Sequence, residues 1–151
     1  MTKKIFMPAL YELIRTYQAF ESYSATHVRA LGLTSSQFDI VATLGNTDGM
    51  SFKDLGEKTL ITKGTLTGVV DRLAAKGFVR RVASPSDGRC QKVQLTRSGK
   101  DLFAKVFPAH LCHLEQVFSG FLQQELDSTE AALHRLREAF SAASKSLEEA
   151  A

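Results

Sequence analysis

A mainly α fold with one small β-hairpin wing is what this 151-residue sequence predicts, on three patterns. Apolar residues recur at helical spacing through both ends of the chain. Between residues 51 and 76 two shorter helical patterns follow one another across a brief turn. Directly after them come two short strand-like runs around the turn Pro85-Ser86-Asp87-Gly88.

Each element has its own residues. Phe6, Leu10, Leu13, Ile14, Tyr17, Phe20 and Val28 mark a long N-terminal amphipathic helix. Ser51 and Asp54 stand in capping positions of a short helix to Thr59, with Leu55 facing inward and Leu60-Ile61 as the turn that follows. Thr62 then opens a helix as N-cap, its hydroxyl expected to accept from a free N–H of the first turn. Leu66, Val69, Val70 and Leu73 form the inward face of that helix, and Lys76-Gly77 closes it because glycine tolerates the left-handed conformation at a helix end. Phe78 to Val82 and Lys92 to Leu95 read as two strands. Two strands alone are marginal, so they must lean on the helices. Leu102, Phe103, Val106, Leu111, Leu114, Val117, Phe118, Phe121 and Leu122 mark a further helix that Pro108 should kink. A last helix, opened by Asp127 or Ser128 with Glu130, carries Leu133, Leu136, Phe140 and Leu147.

Helix, turn, helix and hairpin in that order make a winged helix-turn-helix over residues 33–99, flanked by a helical region from residues 1–32 and 100–151. The outer edge of the second short helix carries Lys63, Thr65, Thr67 and Arg72 beside Thr62. Short hydroxyls and long cations suit base edges and phosphates in a groove about as wide as a helix. Residues 51–100 hold eleven Lys/Arg against four Asp/Glu, net +7, whereas residues 101–151 hold four against eight, net −4. Positive charge therefore gathers on the reader, as phosphate neutralisation requires, and double-stranded DNA is the expected partner. Arg80, Arg81 and Lys92 on the strands are either phosphate contacts or edge-strand charges that block sheet pairing.

Other classes find little support. No apolar run approaches the ~20 residues of a membrane span, and MTKKIFMPALYEL lacks the apolar core and cleavage site of a signal peptide. A cytoplasmic protein without membrane association is expected. Cys90 and Cys112 make no disulfide framework. There is no Gly-rich phosphate loop, nucleophile elbow or HExxH motif, so neither an enzyme nor a required cofactor is expected.

Thr62 through Leu73, Lys76-Gly77-Phe78-Val79, Asp87-Gly88-Arg89, Leu95-Thr96 and Gly99, with Gly32-Leu33-Thr34 and Gln37-Phe38 upstream, resemble the MarR family of dimeric bacterial transcription regulators. The resemblance implies that the helix from Thr62 to Lys76 enters the major groove and that Arg89 enters the flanking minor groove. It also implies that Asp87 orients the wing by pairing with a nearby basic group. Gly68 departs from the pattern, standing where many relatives carry an arginine or another large polar residue.

The terminal helices hold more apolar surface than one small reader covers, so a homodimer joined through both termini is expected, reading a pseudo-palindromic site. Repression by occupancy of a promoter is the expected outcome. Relatives often bind a small aromatic or anionic effector, and Tyr11, Arg15, Tyr23 and His27, along one i+4 row broken by Ala19, offer a cation, phenols and an imidazole for it. Equally, Arg15 fits a surface ion pair, the tyrosines interface packing and His27 an ordinary satisfied histidine. Three alternatives stand beside this reading: a winged-helix protein-interaction module, a metal-responsive regulator using His110, Cys112, His113 and Glu115, and a redox-responsive one using Cys90 beside Arg89.

Overall fold

The computed structural model describes residues 4–59, 61–83 and 91–151. Six helices and three strands follow in the order α1 (Met7–Ala30), α2 (Ser35–Leu44), β1 (Met50–Ser51), α3 (Phe52–Thr59), α4 (Lys63–Ala75), β2 (Val79–Ala83), β3 (Gln91–Leu95), α5 (Arg97–Phe118) and α6 (Gln123–Ala150). The expected hairpin is present, but the sheet has three antiparallel strands in the order β1-β3-β2. Met50 pairs with Val93 and Ser51 with Lys92, while Arg81 lies opposite Val93 across β2 and β3. The extra strand supplies the third partner that a bare hairpin needs.

Local chemistry sets the boundaries. Thr34 caps α2 through a reciprocal pair: the Gln37 N–H donates to its hydroxyl at 3.2 Å, and its own N–H donates to Gln37 Oε1 at 3.1 Å. Ser51 Oγ accepts from Asp54 N–H at 3.1 Å and starts α3. Gly77 ends α4 at φ +80°, with the Phe78 N–H donating to Leu73 O at 3.0 Å, a closure that favours glycine. The α6 start differs from expectation. Glu125 Oε2 accepts from Leu122 N–H at 2.8 Å and begins the helix at Gln123, so Asp127 and Ser128 lie inside it, where Asp127 accepts from Gln123 Nε2 at 2.7 Å. α5 carries Pro108 within one continuous helix.

Compactness divides the chain into residues 1–114 and 115–151. Within the first unit the main core joins Ile40, Val41 and Leu44 of α2, Leu55 of α3, all four inward residues of α4, and Val79, Val93 and Leu95 of the sheet. A second core holds Val28, Leu33, Phe38 and Val106. α2 thus belongs to both, with Phe38 on one side and Ile40, Val41 and Leu44 on the other. The second unit contains α6, whose Leu133, Leu136, Phe140 and Leu147 are all exposed.

Candidate nucleic-acid interface

α4 is an amphipathic helix whose inner face is fully used. Leu66, Val69, Val70 and Leu73 are each at most 4% exposed, while Thr62, Lys63, Thr65, Thr67, Asp71 and Arg72 are exposed. All five α4-region residues proposed from sequence as DNA contacts therefore lie on its solvent side. The Thr62 hydroxyl does not make the expected cap. The Thr65 N–H is already taken by the Thr62 carbonyl at 3.0 Å, and the Thr62 hydroxyl instead donates to the Thr65 hydroxyl at 3.1 Å. The two threonines present one linked pair of hydroxyls beside Lys63.

Gly68 has open space around the position of a Cβ. Among the described residues, no neighbouring group requires a glycine there. The surface of α4 is simply lower at that point.

The wing is tied to the reader by specific contacts. Arg81 of β2 forms an ion pair with Asp71 of α4, and its guanidinium carbon lies 5.4 Å from the ring centroid of Phe52 in α3. One side chain therefore touches strand, reader helix and preceding helix, so its charge is engaged within the protein rather than presented freely. Arg80, on the opposite side of the strand, donates from Nε and a terminal nitrogen to Gln94 Oε1 at 3.1 and 2.8 Å. That arrangement orients an exposed guanidinium along the sheet surface. Lys92 is half-buried on β3. Asp87 and Arg89 at the wing tip, and Cys90 beside them, lie outside the described residues.

At the base of the wing, Thr96 fastens three elements together. Its N–H donates to Phe78 O at 3.0 Å, its hydroxyl donates to Gly77 O at 2.5 Å, and the same oxygen accepts from Gly99 N–H at 3.1 Å at the start of α5. Gly99 is itself packed so closely that a Cβ would collide with the Phe78 carbonyl oxygen. Sequence reasoning used Thr96 and Gly99 only as parts of a resemblance; Asp71 entered in the same way and Gln94 only as a strand residue. No periodic pattern marks partners that meet across 10 to 20 residues of chain.

The four residues proposed for an effector are not held in one constellation. Tyr11 and Arg15 are exposed on the outer part of α1, where Arg15 lies 3.5 Å from Glu12 and its guanidinium carbon 5.8 Å from the Tyr11 ring centroid. Tyr23 and His27 are half-buried further along α1 and are stacked against His113. Among the described residues, no group of three or more His, Cys, Asp or Glu side chains is arranged to hold a metal ion. Cys112 is exposed with a free thiol.

The model of the MarR family matches residues 33–91 of this chain. The transcriptional regulator MhqR of Bacillus subtilis is 28% identical over 82% of this chain and 86% of its own length. A solved MarR-family regulator from Silicibacter pomeroyi is 26% identical with a TM-score of 0.71, covering 85% of this chain and 86% of that one. A MarR-family regulator from Streptomyces coelicolor, solved in complex with DNA, shares the fold at a TM-score of 0.80 and 22% identity, covering 88% of this chain and 86% of that one.

Proposed function

Given that the chain belongs to the MarR family of transcriptional regulators, which are not enzymes, we propose that it acts as a homodimeric repressor. It reads a pseudo-palindromic operator through α4 and the wing. The observation that carries this reading is the division of α4 into a buried apolar face and an exposed face of Lys63, Thr65, Thr67 and Arg72, with basic strands fastened to it. Lys63 and the linked Thr62–Thr65 hydroxyls are assigned to base edges, and Arg72, Arg80 and Lys92 to phosphates. Arg81 is assigned to holding the wing on α4, and Arg89 to the minor groove on the strength of the family pattern.

Support for a dimer comes from apolar side chains left in solvent. Phe6 at the N-cap of α1, and Ile14, Tyr17 and Phe20 on it, are 47–63% exposed. In the second unit Phe118, Phe121, Leu122, Leu133, Leu136, Phe140 and Leu147 are 38–73% exposed. Apolar surface of that extent marks an interaction face, and a second copy would place two reader helices roughly 34 Å apart on one side of the duplex. A small aromatic or anionic effector, engaging the exposed Arg15 cation beside Tyr11, is proposed to release the operator by favouring a different reader spacing.

The test is equilibrium binding to duplex DNA across a salt series, with the mass in solution measured alongside. A dimer whose log affinity falls linearly with log salt, at about 0.9 per phosphate neutralised, supports the reading. A monomer, or an affinity indifferent to salt, refutes it and favours a protein-interaction module.

A further inference from the structure

Three of the four histidines in the chain meet in one stack between α1 and α5. His27 and His113 lie ring to ring with centroids 4.2 Å apart and planes 9° from parallel. Tyr23 covers the other side of His113, also at 4.2 Å and 11°, and its hydroxyl donates to the His113 carbonyl at 2.9 Å. His110 is 3% exposed, with its Nδ1 2.9 Å from His27 Nδ1 and its Nε2 3.0 Å from Ser24 Oγ. The edge of the His110 ring meets Phe38 of α2, with centroids 4.6 Å apart. His113 Nε2 is buried and has no hydrogen-bond partner among the described residues.

This arrangement suits neutral imidazoles. A contact between two Nδ1 atoms needs one donor and one acceptor, and Ser24 satisfies the far side of His110 in either tautomer. One added proton can be shared within the pair. A second puts two N–H groups face to face, and a third charge on His113 sits 4.2 Å from His27 with its Nε2 unpaired. Parallel stacked rings direct their lone pairs along parallel planes, so they do not converge on a metal ion.

We propose that this stack is a proton-operated latch: neutral, it holds α1, α5 and α2 together, and on acidification its accumulating charge parts them and weakens DNA binding. The last step rests on the proposed DNA-reading function. α2 transmits the change because Phe38 touches the stack while Ile40, Val41 and Leu44 pack in the same core as the inward face of α4.

The surrounding charges favour this sense. From α1 the titratable groups at the stack are Tyr23 and His27, and from α5 His110 and His113. α2 presents Phe38, and its one acid, Asp39, interacts with Glu21 of α1. Burial, then the neighbouring histidines, hold His27 and His110 below the ordinary imidazole value of 6.5. A histidine whose folded pKa is depressed leaves stability intact at neutral pH and removes it as pH falls through and below 6.5, because the unfolded chain takes the proton first. Asp39, pushed up to about 6 by partial desolvation and by Glu21, has the opposite sign and does not produce this loss.

The decisive experiment compares operator affinity of the full chain at pH 7.5 and 5.5 at fixed ionic strength, for wild type and His113→Phe. The substitution keeps an aromatic ring in the stack and removes both one charge site and the orphaned nitrogen. Added positive charge alone strengthens DNA binding, so the latch predicts the unusual direction. Wild-type affinity falls about tenfold or more on acidification, against about threefold or less for the variant. An unchanged or rising wild-type affinity, or an equal fall in both proteins, overturns the latch. Imidazole proton NMR gives an independent reading that needs no DNA. His27 and His110 should titrate below the ordinary imidazole value of 6.5, with loss of the Tyr23–His113 contact on acidification. A Tyr23–His113 contact that stays intact at pH 5.5 refutes the latch, whereas absent DNA binding at pH 7.5 refutes the DNA-reading function instead.

Discussion

Replacing Arg81 with alanine separates a wing clamp from a phosphate contact. The guanidinium has two partners, the Asp71 carboxylate and the Phe52 ring. With side-chain exposures of 29% for Arg81 and 57% for Asp71, the ion pair belongs to the solvent-screened class, about 0.2–1 kcal/mol. The ring contact adds about 0.5–1 kcal/mol at such a site. Together these give about 1–2 kcal/mol, a fall in Tm of roughly 2–8 °C for a chain of this size. Asp71→Asn keeps the ring contact and should cost about half as much, and the double variant should be less destabilised than the two single losses summed. Thermal unfolding checks the first part and a salt series of DNA affinity the second. For a clamp, Arg81→Ala loses stability while the salt slope keeps its wild-type value. An unchanged Tm with a slope smaller by about 0.9, the signature of one lost phosphate, would refute the reasoning and return Arg81 to the DNA surface.

Other outcomes follow from the same contacts. Gly99→Ala forces a methyl into the Phe78 carbonyl and should destabilise by about 3 kcal/mol or prevent folding, measured by denaturant unfolding. Thr34→Ala removes the hydroxyl half of the α2 capping box and should cost about 1 kcal/mol by the same assay. Lys63→Ala should lower affinity for the selected operator by about 1–3 kcal/mol while leaving random DNA less affected. An equal loss on both would make it a phosphate contact.

How much of this was legible from sequence depended on the range of each interaction. The inward face of α4 was readable because Leu66, Val69, Val70 and Leu73 follow a local helical period, and all four are buried. Ser51 and Gly77 announced helix ends through side-chain and backbone chemistry that acts within a few residues. β1 carried no such signal, since Met50 and Ser51 are too few to alternate and their partners are Val93 and Lys92. The histidine stack was hidden for the same reason. His27 and His110 stand 83 residues apart, and read along one helix His110 and His113 suggested metal ligands. Arg81 looked like any edge-strand cation until Asp71 and Phe52 were seen beside it. The start of α6 was misplaced because Asp127 and Ser128 are good caps by type, but Glu125 reaches back to the Leu122 N–H first.

The central claim, that this chain reads duplex DNA as a symmetric pair, is tested most directly by selecting bound sequences from a random duplex pool with purified protein at near-physiological salt. The account predicts an enriched inverted repeat with half-site centres about one helical turn apart. A pool that stays random, with binding absent at low salt as well, would contradict it.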